Sequence, residues 1–216
     1  MAVTGQDLVS EVRTTSDLQL SRFCTDAELL LMVNEALAEL FDVLVMTRDG
    51  YFKISVPLTL DTNQQSNLPS DFYKELLVTA GVGAGLFEVL PLESYRDRLN
   101  CTEPRYHISS RVITLYPLSM VQPVTLEYVP NCPVLGLTDP MPVDMERFRE
   151  FVAVTASIKV KAKRKQDATD LLNRQGQLRQ RAIAAVTGRN AGPKKVPMPI
   201  REQRTGWFDR TRRYFY

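Results

Sequence analysis

A hydrolase or transferase needs a nucleophile, a base that activates it and a group that orients the base, and this 216-residue chain carries one histidine, His107. His107 falls inside a run whose alternation predicts a strand, where an imidazole is more simply a packed side chain than a proton carrier. A transition-metal site needs histidines at i and i+4 or clusters of Cys and His. The three cysteines, Cys24, Cys101 and Cys132, stand far apart without CxxC spacing, so neither a metal nor a disulfide framework is expected, and they are read as buried thiols. The run Gly81-Val82-Gly83-Ala84-Gly85 lacks the Gly-Lys-Ser/Thr ending of a phosphate loop and is expected to be a turn. Neighbouring acids, Asp42 with Asp49 and Asp144 with Glu146, sit near predicted helix ends, where the macrodipole favours acids. The expectation is a protein without catalytic residues, cofactor or metal.

Two other groups of residues point to binding. Lys159, Lys161, Lys163, Arg164 and Lys165 form a dense basic stretch that could neutralise phosphates without reading sequence; no aromatic residues interleave it. The C-terminus places Trp207, Phe208, Tyr214, Phe215 and Tyr216 among Arg201, Arg204, Arg210, Arg212 and Arg213. Aromatic side chains favour burial in a partner, and Trp, Tyr and Arg concentrate binding energy at interfaces, so this end is predicted to dock. Charge is segregated in the same sense. Residues 1–158 hold 11 Lys or Arg against 21 Asp or Glu (−10), and residues 159–216 hold 16 against 4 (+12), which sums to the net +2. Such a block asymmetry predicts contact with an acidic partner.

The elements that must position these groups follow from periodicity and capping. Thr4 and Asp7 can cap a short helix to about Thr14, and Thr25-Asp26-Ala27-Glu28 is a capping box ahead of Leu29, Met32, Val33, Ala36, Leu37, Leu40, Phe41, Leu44 and Val45 at helical spacing. Over residues 52–60 the period changes to two, with Pro57 marking an edge strand. Leu68-Pro69-Ser70-Asp71 could cap a helical turn through Phe72 and Tyr73, a Val-rich strand follows, and residues 93–99 suggest another short helix. Three strands are expected at 106–108, 112–116 and 124–129, the first two joined through Ser109-Ser110. Pro130, Pro133, Pro140 and Pro142 stiffen the next connection. Helix resumes near Asp144 with Phe148, Phe151, Val152, Thr155 and Ile158 on one face, and a second helix over 167–186 carries Leu171, Leu172, Leu178 and Ile183, weakened by Gly176. Gly192, Pro193, Pro197, Pro199 and Gly206 argue against regular structure beyond Gly188.

The fold class expected is α+β: a helical bundle body with a small antiparallel β insertion and an extended C-terminal tail. Its divisions are N-terminal helices at 1–50, a β-rich middle at 51–142, C-terminal helices at 143–188 and the tail at 189–216. The 44% hydrophobic content suffices for a proper core. No run of eighteen apolar residues and no signal-like start is present, so a soluble chain made in a cytoplasm is expected, without a membrane partner.

The order TDAELLLMVNEALAELFDVL, LPSDFYK, LEYVPNCP, a helical pair with a basic waist, and a proline-bearing end with GWFD resembles head-to-tail adaptor (connector) proteins of tailed bacteriophages. The resemblance spans nearly the whole chain. It implies a structural virion protein of the neck, assembled in the bacterial host: a homo-oligomeric ring, typically a dodecamer, seated beneath the portal protein. Packaged DNA would pass through its channel and a downstream tail or nozzle protein would attach below. By position, the helices would build the ring body, and the segment from Pro193, with Arg201, Arg204, Trp207, Phe208, Arg210, Arg212, Arg213, Tyr214, Phe215 and Tyr216, would bind portal. A DNA-binding accessory protein using residues 159–181 is the alternative.

Overall fold

The computed structural model describes residues 2–18, 23–48, 50–81, 85–92, 103–116 and 123–188. Both predicted capping boxes form. In α1 (Gly5–Thr15) the Thr4 amide donates to Asp7 Oδ2 at 2.8 Å, and the Asp7 amide donates back to the Thr4 hydroxyl at 3.3 Å. In α2 (Asp26–Thr47) Thr25 and Glu28 exchange the same pair of bonds at 3.1 and 3.2 Å. Each box satisfies amides that a helix start otherwise leaves unpaired. Most of the anticipated stripe of α2 is buried, with Leu29, Val33, Leu37, Leu40 and Leu44 fully so, whereas Met32 is only partly buried.

A single turn, α3 (Val143–Glu146), leads into α4 (Arg149–Lys163), and α5 (Thr169–Gly188) follows a short turn. The sequence predicts one apolar face on α4, yet every residue from Phe151 to Ser157 is buried, because α1, α2 and α5 all pack around it. A helix enclosed on all sides must be apolar or small all round, and Ala153, Ala156 and Ser157 supply the small side chains. Its two buried hydroxyls are satisfied: Ser157 donates to the Ala153 carbonyl at 2.8 Å, and Gln175 donates to Thr155 at 3.0 Å. On α5 the buried positions are Leu178, Ala182 and Val186. Leu172, placed inward by the sequence pattern, is 52% exposed.

The middle of the chain overturns the expected fold class. It is neither small nor purely antiparallel, and the protein is a β-rich fold in which a seven-stranded mixed sheet stands beside the helices. The strands are β1 (Ile54–Leu58), β2 (Gln65–Asn67), β3 (Phe72–Ala80), β4 (Phe87–Pro91), β5 (Arg105–Ser109), β6 (Val112–Tyr116) and β7 (Val124–Pro130), in the order β1-β7-β3-β4-β5-β6-β2. Every pairing is antiparallel except β4 with β5. The sheet has a core of its own, built on Val78, Ala80, Val89, Ile113, Leu115, Val124 and Leu126.

The local departure is at Phe72 and Tyr73, where a helical turn capped by Ser70-Asp71 is expected. These two residues instead open the strand β3, whose later, Val-rich part is the expected strand; β3 pairs with β7 along its length and with β4 from Val78 to Ala80. Pairing with β7 overrides local propensity at its start. Asp71 accepts the Tyr128 hydroxyl at 2.9 Å, so its carboxylate ties the start of β3 to β7.

Other expectations hold. Pro57 lies in an edge strand, because β1 pairs only with β7. The β5–β6 hairpin turns one residue later than predicted, on Ser110 (φ 50°) and Arg111 (φ 65°), the doubly left-handed form whose twist matches the flanking strands. Arg111 donates to the Pro69 and Ser70 carbonyls at 2.9 and 2.8 Å, which anchors the hairpin to the turn before β3.

The proline-bearing connection runs back across the helices. Asn34 of α2 donates to the Leu135 carbonyl at 3.0 Å and accepts the Leu135 amide at 2.8 Å. The Gln6 amide donates to the Leu137 carbonyl at 2.8 Å, and the Met141 amide to the Val3 carbonyl at 2.7 Å. Gly5 is required here, since a Cβ at that position would collide with the Gly136 carbonyl oxygen.

Candidate functional site

The basic stretch lies at the end of α4 and in the turn after it, and much of it is engaged within the chain. Lys159 Nζ lies 2.9 Å from Glu35 Oε2 and 2.8 Å from Glu39 Oε1, two acids one turn apart on α2. Burial lowers the Lys159 pKa, but hydrogen bonds to Glu39 and Glu35, with their charges, outweigh it and hold the ammonium above the usual lysine range. Lys163 Nζ lies 2.9 Å from Glu28 Oε1. That hydrogen bond raises Lys163, and it is also the main reason the Glu28 carboxyl lies below its ordinary value, followed by the bond to the Thr25 backbone. Arg164 donates to the Ser16 carbonyl at 3.3 Å. Lys163 and Arg164 both stand over the Phe23 ring, 5.5 and 5.8 Å from its centre.

Of the five predicted phosphate contacts, Lys159, Lys163 and Arg164 thus fasten α4 to α2 and to the end of α1. Lys165 is exposed and left-handed (φ 54°). Lys161 lies near Asp167, whose carboxyl is lowered chiefly by the Thr169 hydroxyl and backbone and in small part by Lys161. The predicted portal contacts, Arg201, Arg204, Trp207, Phe208, Arg210, Arg212, Arg213, Tyr214, Phe215 and Tyr216, lie outside the described residues, as do Cys101, Asp49, the expected helix at 93–99 and most of the glycine-rich turn.

His107 lies on the outer face of β5 in a cross-strand row with Thr114 and Gln65. It borders a shallow depression of about 470 Å³ lined also by Ser109, Val112 and Tyr116. Cys24 is buried, whereas Cys132 is only partly so, and burial, with the nearby Asp42 charge, pushes its thiol up to about 11. Among the described residues no group of three His, Cys, Asp or Glu could hold a metal ion, and no helix is long and apolar enough to cross a membrane.

Sequence reasoning missed a groove of about 360 Å³ between α2 and α5, lined by Glu39, Asp42, Met46, Phe151, Leu172 and Gly176 among others. Exposed apolar residues cannot be recognised before two helices are placed side by side. The one legible signal was Gly176, an unexpected glycine inside a helical pattern. The chain matches no protein-family model, and no curated protein matches it as a relative.

Proposed function

We propose that the protein is a structural, non-enzymatic head-to-tail adaptor of a tailed bacteriophage. It would form a homo-oligomeric ring, of twelve copies by analogy with the adaptors it resembles, beneath the portal in the virion neck. The observation that carries this reading is the ordered set of sequence motifs ending in a basic, aromatic segment. Residues 189–216 hold eight Lys or Arg against Glu202 and Asp209, a composition suited to an acidic protein surface with pockets for aromatic anchors. The helical layer, tied together by buried side chains and by ion pairs between α2 and α4, is the ring body. The sheet faces the downstream tail or nozzle protein, and packaged DNA passes through the channel. Many modest contacts repeated around a ring give strong attachment.

Assembly is expected to depend on portal: the isolated chain is monomeric or weakly associated in sedimentation and forms rings when portal is added. Electron micrographs of the purified chain with and without portal test the proposal. Rings seated on portal support it, and absence of any portal complex contradicts it. The DNA-binding alternative rests on residues 159–181, but Lys159 and Lys163 already have acidic partners in the fold. Reversing charge at Lys161, Lys163 and Lys165 separates the two readings, since it should leave portal attachment intact and would abolish duplex binding only if such binding exists.

A further inference from the structure

The groove between α2 and α5 gathers several features that the fold does not use. Met46 on one wall is 82% exposed and Leu172 on the other is 52% exposed. Gly176 lies in the middle of α5, where glycine weakens a helix relative to alanine. A Cβ there would meet nothing within 4 Å, so no neighbour among the described residues requires its absence. Bare helix backbone flanked by exposed apolar side chains suits close approach by another segment. Glu39 and Asp42 make the α2 rim acidic, while Arg179 stands on the α5 wall.

We propose that this groove receives the C-terminal segment of the same chain, with Trp207 and Phe208 seated against Met46, Leu172 and the Gly176 backbone. Charge complementarity supports this occupant. Residues 189–216 sum to +6 from eight basic and two acidic residues, and they meet the acids of the rim. Glu39 is paired with Lys159 yet its side chain remains 48% exposed, and a carboxylate can accept several donors. Chain length supports it too. From Gly188 back to Gly176 is twelve residues of α5, about 18 Å at helical rise. Residues 189–206 can span that distance more than twice over when extended, at roughly 3.3 Å per residue. The inference does not depend on the adaptor reading. Where both hold, the groove keeps the segment until portal competes for it.

Trp207 is the only tryptophan, so the intrinsic tryptophan fluorescence of the full chain reports on this segment alone. The expected result is an emission blue-shifted from that of a water-exposed indole and protected from acrylamide. Met46→Asp combined with Leu172→Asp should move the emission to the red and raise quenching severalfold. Gly176→Leu, which fills the groove and favours helix, should do the same while circular dichroism stays unchanged. A water-like emission in the unmodified chain, or no response to either variant, overturns the proposal. A blue shift lost on dilution assigns the contact to a second copy and overturns it as well. Portal binding measured in parallel bears on the adaptor reading alone, because its absence leaves the fluorescence result standing.

Discussion

The helical layer and the sheet reach stability by different means. In the helical layer one helix, α4, is surrounded, and ion pairs on its rim hold it to α2 through Lys159 and Lys163. In the sheet the strands share a second core, and Glu127 of β7 accepts from Lys53 at 2.9 and 3.0 Å and from the Ser55 hydroxyl of β1 at 3.3 Å. The two regions meet at an aromatic seam: Phe41 of α2 stacks on Phe52 with ring centres 4.7 Å apart, and Tyr73 of β3 meets Phe41 edge-on at 5.9 Å. Tyr73 also donates to Asp42 at 3.2 Å. The helices are thus specified mainly by local signals, with α4 enclosed all round, and the sheet by pairings between residues far apart in the chain.

That contrast can be broken most forcefully in the helical core. Leu40 is fully buried in α2, so Leu40→Ala should cost on the order of 2–5 kcal/mol; a change below about 0.5 kcal/mol in thermal unfolding, typical of surface sites, would mean the stripe is placed wrongly. A smaller loss is expected at the strap joining the regions. Asn34→Ala removes both bonds to Leu135 and should cost about 1–3 kcal/mol, with hydrogen exchange rising at the Leu135 amide before the strands respond. Near-normal protection there would contradict that role.

The ion pairs should matter least and in a pH-dependent way. Lys159→Met should cost below about 1 kcal/mol, as partly exposed pairs do. Because the folded pKa of Lys159 is raised, its contribution is present below the ordinary lysine pKa and fades as pH rises through the folded value. For Glu28, whose folded pKa is lowered, the contribution is present above the ordinary glutamate pKa and fades as pH falls through the folded value. Melting temperature followed from acid to alkali, in wild type and Lys159→Met, checks both signs. Alkaline sensitivity that persists undiminished in Lys159→Met would assign it elsewhere.

Much of the helical layer was legible because its signals are short-range. Thr25 with Glu28, and Leu29 to Leu44 at helical spacing, encode start and facing within one segment. The sheet was legible only where alternation was strong, as in β6 and β7. β2 consists of Gln65, Ser66 and Asn67, which carry no apolar alternation, and at the start of β3 the Ser70-Asp71 signal suggests a helical turn until β7 pairs with Phe72. The basic stretch was visible, but its use was not. The spacing of Lys159 and Lys163 marks one helix face, and only the packing of α4 on α2 brings Glu28, Glu35 and Glu39 against it.

In the proposed adaptor role the body folds by itself and the C-terminal segment attaches it to portal. Deleting residues 193–216 and measuring co-sedimentation with portal, alongside thermal melting, tests it most directly. The expected result is a body that still unfolds in one cooperative transition, lowered only by loss of the groove contact, together with loss of portal binding, each anchor residue contributing about 2 kcal/mol, roughly thirtyfold in affinity per site. Wild-type binding by the truncated chain would contradict it and move the contact to the ring body; failure of the truncated chain to fold would place the segment in the core.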